Sequence, residues 1–333
     1  VTEVTQIKGD SETHPDLSPD DPFADFETYP FYIQRDATPY VAGQGDYIRS
    51  ALKLGLGIER EVGQNPYQFG LIGSTDAHTG MASAEEDNFH GKLAQDSIPE
   101  NKVGGAIAGS VTGWDMSASG LAAVWAEENT RESILAAMKR REVYATSGPR
   151  IGVQFFAGSG ITEDLLQAED VYAAATAVGV PMGGELSSLA GEAPAFLVRA
   201  VKDPMGANLD RIQIVKAWLE ESGESREQVF DVAWSGSRLP DSSGKVPPVG
   251  DTVDRATATY TNDIGAPELA TVWRDPLFDS TQSAFYYVRV LQIPTPRHSF
   301  YDALALGLDS AKDQPDTIQD RAYTSPVWYR PRS

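Results

Sequence analysis

Apolar positions recur with two different periods along this chain, and the change between them falls near residue 150. TEVTQI (2–7) is a β-branched run ending at a Gly-Asp loop and predicts a strand. After an acidic, proline-containing excursion, GDYIRSALKLGL (45–56) places Ile48, Ala51 and Leu52 three and four apart, which predicts a helix. FGLIGS (69–74) predicts the next strand. LAAVWAEE (121–128) is apolar on both alternating faces, the pattern of a buried parallel strand. Asn129 with Glu132 forms a capping box that opens a helix, TRESILAAMKRR (130–141), with Ile134, Leu135 and Met138 inward. EVYATSGPRI (142–151) returns as a strand. Strand, helix, strand in this order predicts a parallel sheet or a (β/α) barrel, whose ligand sites lie at the C-terminal ends of the strands.

Beyond Gly152 the helical period gives way to short alternating runs. AFLVRAV, DRIQIVKAWLE, QVFDVAWSG, ATATYTN and SAFYYVRVLQI are separated by Gly, Pro and Asp clusters, which predicts an antiparallel sandwich. The expected organisation is therefore α/β followed by all-β. Residues 1–152 are the α/β part, with a Gly-, Ser- and acid-rich loop or lid near 82–118. Residues 153–185 connect the parts with some helical content, and 186–333 are the β-rich domain.

Charge narrows the partners. With 27 Lys and Arg against 48 Asp and Glu, the formal net charge is −21, which argues against binding a phosphate backbone through clustered cations. With no cysteine, disulfides, thiolate metal ligands and a thiol nucleophile are excluded, so any metal must be held by nitrogen and oxygen. No apolar run reaches the ~18 residues needed to span a membrane. The opening VTEVTQIKGD is not a signal peptide, and a start at Val inside a strand leads us to expect a processed or truncated chain.

Only four histidines are present, and two of them sit two residues after a carboxylate, just past a predicted strand. These are Asp76 and His78 in STDAHTG, and Glu12 and His14 in SETHP. If each strand continued, both members of a pair would face one point in space, as two ligands of a metal should. Carboxylate and imidazole without sulfur suit zinc, manganese or iron. The competing reading is a polar turn whose histidines are satisfied by backbone and solvent. In YATSGPR, Tyr144, Thr146 and Arg150 form a candidate anion site, with Arg150 and Tyr144 as candidate catalytic groups; the alternative is an arginine paired with one of many carboxylates. His90 and Arg297 are candidate substrate contacts, and His298 is expected at a surface or interface. A serine-hydrolase triad of Ser74, Asp76 and His78 fails, since all three lie on one strand end and no Gly-x-Ser-x-Gly elbow exists.

KGDSETHP, FGLIGSTDAHTG, EDNFHGK, the long run from LAAVW to SGPRI, RIQIVKAW, VRVLQIPTPRHSFYDA and RAYTSPVWY together resemble the DUF3604 family, a group related to the PHP (polymerase and histidinol phosphatase) metal-dependent hydrolases. The resemblance runs over nearly the whole chain. It implies part of a distorted (β/α)7 barrel whose strand ends hold two or three divalent metal ions. Asp76 and His78 match the late Asp-x-His of such proteins, and Glu12 resembles their mid-chain ligand, with His14 as a fourth. His90 is a further ligand or a substrate contact. The relatives' opening His-x-His motif is absent here, which leads us to expect the C-terminal part of a family member, with the missing N-terminal part as a partner.

The expected function is a metal-dependent hydrolase, of phosphate esters foremost, acting on a small anionic substrate in the periplasm or outside the cell. Two alternatives stand beside it: hydrolysis of a non-phosphate ester, and a metal-stabilised protein that binds carbohydrate or a cell-surface partner without turnover.

Overall fold

In the strand AFYYVRVLQ (284–292) every residue is buried, yet its two faces serve different cores. Ala284, Tyr286, Val288 and Val290 enter one apolar cluster, while Phe285 and Tyr287 enter another. A strand alternates its side chains between the two faces of its sheet, so this one must lie in the middle of a three-layered structure.

The computed structural model bears this out over the residues it describes, which are 1–32, 38–81, 83–104, 111–118, 120–187 and 192–331. The chain begins with β1 (Thr2–Gln6), β2 (Gly9–Asp10), helix α1 (Ile48–Val62), β3 (Leu71–Gly73), α2 (Pro99–Gly104), β4 (Leu121–Val124), α3 (Arg131–Arg140) and β5 (Val143–Thr146). It continues with β6 (Gly152–Gly158), α4 (Val171–Thr176), β7 (Val180–Pro181), β8 (Glu185–Ser187), β9 (Ala195–Val201), β10 (Leu209–Leu219), β11 (Ser225–Trp234) and β12 (Glu268–Arg274). The last elements are β13 (Ala284–Gln292), β14 (Thr295–Pro296), α5 (His298–Ala305), β15 (Thr317–Ile318), β16 (Arg321–Thr324) and β17 (Val327–Arg330).

The middle layer is an eight-stranded sheet in the order β11-β10-β13-β16-β5-β4, with β17 pairing to β13 and β8. On one side it packs against the sheet β12-β9-β6-β7, through Val153, Phe155, Phe196 and Val198 against Ile212, Ile214, Tyr286 and Val288. Each such fully buried side chain contributes about 1.5–3 kcal/mol of hydrophobic stabilisation. On the other side Phe285, Tyr287, Val215 and Trp328 meet Ile48, Leu52 and Leu56 of α1, Val4 of β1 and Leu71 of β3. There β1 runs parallel to β3 and antiparallel to β2.

Mixed α and β content and several antiparallel sheets are therefore present, but among the described residues no sheet closes into a barrel. The eight-stranded sheet draws strands from both sides of residue 152, because β5 pairs with β16. LAAV is not a buried parallel strand: β4 is antiparallel to β5 and only half-buried. Periodicity specifies an element and its buried face; it carries no information about strand direction. Helix α3 is capped by Thr130, whose Oγ1 accepts from Ser133 N, and not by Asn129. Its covered residue is Ala137, while Leu135 is 53% exposed. ATATYTN forms no named strand, whereas ELATVWR forms β12, with larger apolar side chains to bury. Of the expected loop or lid at 82–118, Ala82 and residues 105–110 lie outside the described residues; the rest holds α2 and short 3₁₀ turns. Among the described residues no helix is long and apolar enough to cross a membrane.

Candidate functional site

The parallel pair β1 and β3 positions the most chemically loaded cluster. Thr5 lies opposite Gly73, so Lys8 and Asp76 each emerge three residues beyond that register point, at the C-terminal ends of adjacent parallel strands. Gly73 is required there: a Cβ would come within 2.7–2.9 Å of backbone atoms of Leu121 and Thr146. Asp76 itself has φ +48°, in the left-handed region that Asp tolerates better than most residues. Lys92 Nζ donates to Asp76 Oδ2 and to its carbonyl, both at 2.8 Å, while His78 N donates back to Lys92 O at 2.8 Å. Lys8 forms an ion pair with the same Oδ2. Burial, reinforced by the neighbouring Lys92, lowers the Lys8 pKa to about 8. The His78 ring is 57% exposed, with Nε2 3.6 Å from Asp76 Oδ1. Asp76 and His78 are thus brought together, though not by the pleat of a strand, since β3 ends at Gly73.

Glu12 is elsewhere engaged. It is buried, accepts from Arg49 and from the Tyr287 hydroxyl, and pairs with Arg289 Nη1 at 2.9 Å. Asp21 joins the same network, 2.9 Å from Arg49 Nη2 and 2.7 Å from Arg289 Nη2. Burial pushes the Glu12 and Asp21 carboxyls up, but Arg289 and then Arg49 outweigh it and hold both below their ordinary values. His14 keeps to its own loop, its Nδ1 accepting from Asp16 N at 3.1 Å beside Tyr47.

Asp10, next to this network, behaves oppositely. Its Oδ1 accepts from Glu12 N at 2.8 Å, but Oδ2 is buried with no hydrogen-bond partner among the described residues. Burial and then the Glu12 charge raise its pKa to about 7. The folded protein therefore holds a proton between about pH 4 and 7 that the unfolded chain has released, so this group's contribution to stability falls as pH rises through that window. Asp10→Asn keeps the Oδ1 acceptor and removes the titration. Urea unfolding at pH 5 and pH 8 should show a smaller loss at pH 8 for the variant than for the wild type; an equal loss would rule this out.

The remaining sequence candidates are scattered. Tyr144 faces the inter-sheet core, its hydroxyl donating to Ile151 O at 3.0 Å, and Thr146 follows on the same face, also buried. The Arg150 side chain is 69% exposed and lies 3.7 Å from Glu85, which is the surface-pair alternative. His90 is half-buried, its backbone N donating to Ser83 Oγ at 3.3 Å. Arg297 is buried and uses all five N–H groups internally: two on Glu27, and one each on Trp114 O, Met116 O and Ser299 Oγ. It has no donor left for a substrate. His298 is not at a surface: it is 1% exposed, its Nε2 donates to Met116 O at 2.6 Å, and burial pushes its pKa well down, so it is neutral.

The expected four-ligand metal centre does not fit these positions. Among the described residues no group of three or more His, Asp or Glu could hold a metal ion. Glu12 is neutralised by two guanidinium groups, His14 is committed to its own loop, and Asp76 is already held by two ammonium groups. Sequence reading missed Lys8 and Lys92, although both stand inside quoted motifs, KGDSETHP and EDNFHGK. It also missed Asp21, Arg49 and Arg289. Arg49 carries no signal on a helix read for its apolar face, whereas Arg289 interrupts the apolar alternation of β13.

Fold and site define a mixed α/β protein with a lysine-carboxylate-imidazole cluster at the ends of parallel strands. The chain belongs to the DUF3604 family, whose model, described as a protein of unknown function, matches residues 1–331. No curated protein matches it.

Proposed function

We propose that the chain is a hydrolase of small anionic esters, phosphate esters foremost, working at the C-terminal ends of β1 and β3. The observation that carries this reading is the convergence of Lys8, Lys92 and His78 on Asp76 at two adjacent parallel strand ends. Ligands of α/β sheets bind at such ends. In a protein of net charge −21, two ammonium groups around one carboxylate make a local exception that attracts an anion. The ammonium groups would hold the ester's negative charge where it grows in the transition state. His78, exposed and beside Asp76, would carry a proton to or from the reacting oxygen. Kinship with the PHP metallohydrolases belongs to the same proposal, but with Asp76 committed to Lys8 and Lys92 the reaction falls to these side chains themselves.

The test is turnover of p-nitrophenyl phosphate, bis-p-nitrophenyl phosphate, p-nitrophenyl sulfate and p-nitrophenyl acetate, each with and without added Mn²⁺ or Zn²⁺. Asp76→Asn and Lys92→Met should each lower kcat/KM by about 100-fold or more on the substrate that turns over. No turnover of any ester, or an Asp76→Asn variant as active as the wild type, would sink the reading.

A further inference from the structure

Two concavities of the described residues lie away from the Asp76 cluster: none of Lys8, Asp76, His78 or Lys92 lines them. Their volumes are about 570 and 710 Å³, and they adjoin, since Pro22, Phe23 and Gln319 line both. Each falls within the roughly 300–1,000 Å³ of small-molecule sites, and together they have room for a ligand of several rings.

The lining disfavours an anionic guest, because its carboxylates, Asp20, Asp25 and Asp313 among them, outnumber its cations and serve as acceptors for hydroxyl donors. Three of its cations are matched within the walls, Arg211 to Asp210 and Asp231 at 2.9 and 3.0 Å, Lys53 to Glu227 at 2.6 Å, and Arg297 to Glu27 at 2.8 Å, while Arg226 pairs just outside them with Glu224 at 3.0 Å. Lys245 Nζ is spent on the Asp20 carbonyl, and Arg321 lies 3.6 Å from the centre of the Phe26 ring and donates to backbone carbonyls. What faces the space are hydrogen-bond acceptors and apolar surfaces. Gln319 donates its Nε2 to Gln292 O and Gln228 donates its Nε2 to Val229 O, while neither Oε1 accepts a bond among the described residues. Between the cavities stands the Phe23 ring, with the guanidinium carbons of Arg211 and Arg289 at 5.1 and 5.7 Å from its centre. That packing fixes the ring before any ligand arrives, which lowers the ordering cost of binding. Fixed amide acceptors answer hydroxyl donors, and an aromatic face with neighbouring prolines answers the apolar C–H face of a sugar ring.

We infer that the paired cavities around Phe23 and Gln319 form a binding site for a neutral oligosaccharide. This site does not depend on the hydrolase reading, and binding is measured without turnover, so the two stand or fall separately. Titration calorimetry of the full chain with cellohexaose, maltohexaose and chitohexaose should give saturable binding to at least one, with Kd of about 1 mM or tighter. Gln319→Ala and Gln228→Ala should each weaken it by about fivefold or more at unchanged Tm. Gln228 is exposed, so its variant tests the site without disturbing the fold. Absence of saturable binding to all three hexasaccharides overturns the inference. So does undiminished binding in both variants, or tripolyphosphate or spermidine displacing the sugar with the higher affinity.

Discussion

Arg289→Met should lower the stability of the folded chain by about 3–5 kcal/mol, the cost of removing one partner from a buried ion network. Arg289 is fully buried on the face of β13 that also carries Phe285 and Tyr287, so its charge points into the layer under α1. There it shares Glu12 and Asp21 with Arg49, two guanidinium groups against two carboxylates, with Tyr287 closing the network through Glu12 and Arg49. Methionine fills a similar volume but leaves the two buried carboxylates with one cation. The prediction is read by urea unfolding at pH 7. A second outcome is specific to charge: the double variant Arg289→Met, Asp21→Asn should recover part of the loss, because one deleted cation is then matched by one deleted anion and Arg49 keeps Glu12. A loss below about 1 kcal/mol for Arg289→Met would mean that this network contributes little.

That network explains what could and could not be read from the sequence. Thr2–Gln6, Ile48–Val62, Leu71–Gly73, Ala195–Val201, Leu209–Leu219, Ser225–Trp234 and Ala284–Gln292 follow from local apolar period, because each buries a face its own residues define. The three-layered order does not, because it depends on which strands pair across more than a hundred residues, as β5 does with β16. Glu12 and Asp76 looked alike in sequence, each a carboxylate two residues before a histidine. They differ in partners that arrive from afar: Arg49 and Arg289 reach Glu12, whereas Lys8 and Lys92 reach Asp76. Spacing alone cannot separate a buried structural carboxylate from one at an accessible strand end. The pair at Asp76 and His78 was legible; the cations that set its chemistry were not, because a lone lysine in an acidic chain ordinarily reads as a solvated charge.

Arg297→Met should produce a loss of similar size, about 3–5 kcal/mol, by a different route. Arg297 ties three stretches together: Glu27 in the first loop region, the carbonyls of Trp114 and Met116, and Ser299 in the first turn of α5. Deleting the guanidinium strands a nearly buried Glu27 carboxylate and the Trp114 carbonyl, while Met116 O keeps its bond from His298 Nε2. The stretch around Trp114–Met116 loses its anchor, so limited proteolysis should cut there faster in the variant than in the wild type, while the β10–β13 ladder stays protected. The alternative role of Arg297, a substrate contact reaching toward the barrel, makes a distinguishable forecast. A substrate contact would leave Tm and the cleavage pattern unchanged and raise KM alone; the strap lowers Tm and exposes the 114–116 stretch, with KM of the surviving folded fraction unaltered. With all five N–H groups already committed inside the protein, the second result is the one the geometry demands.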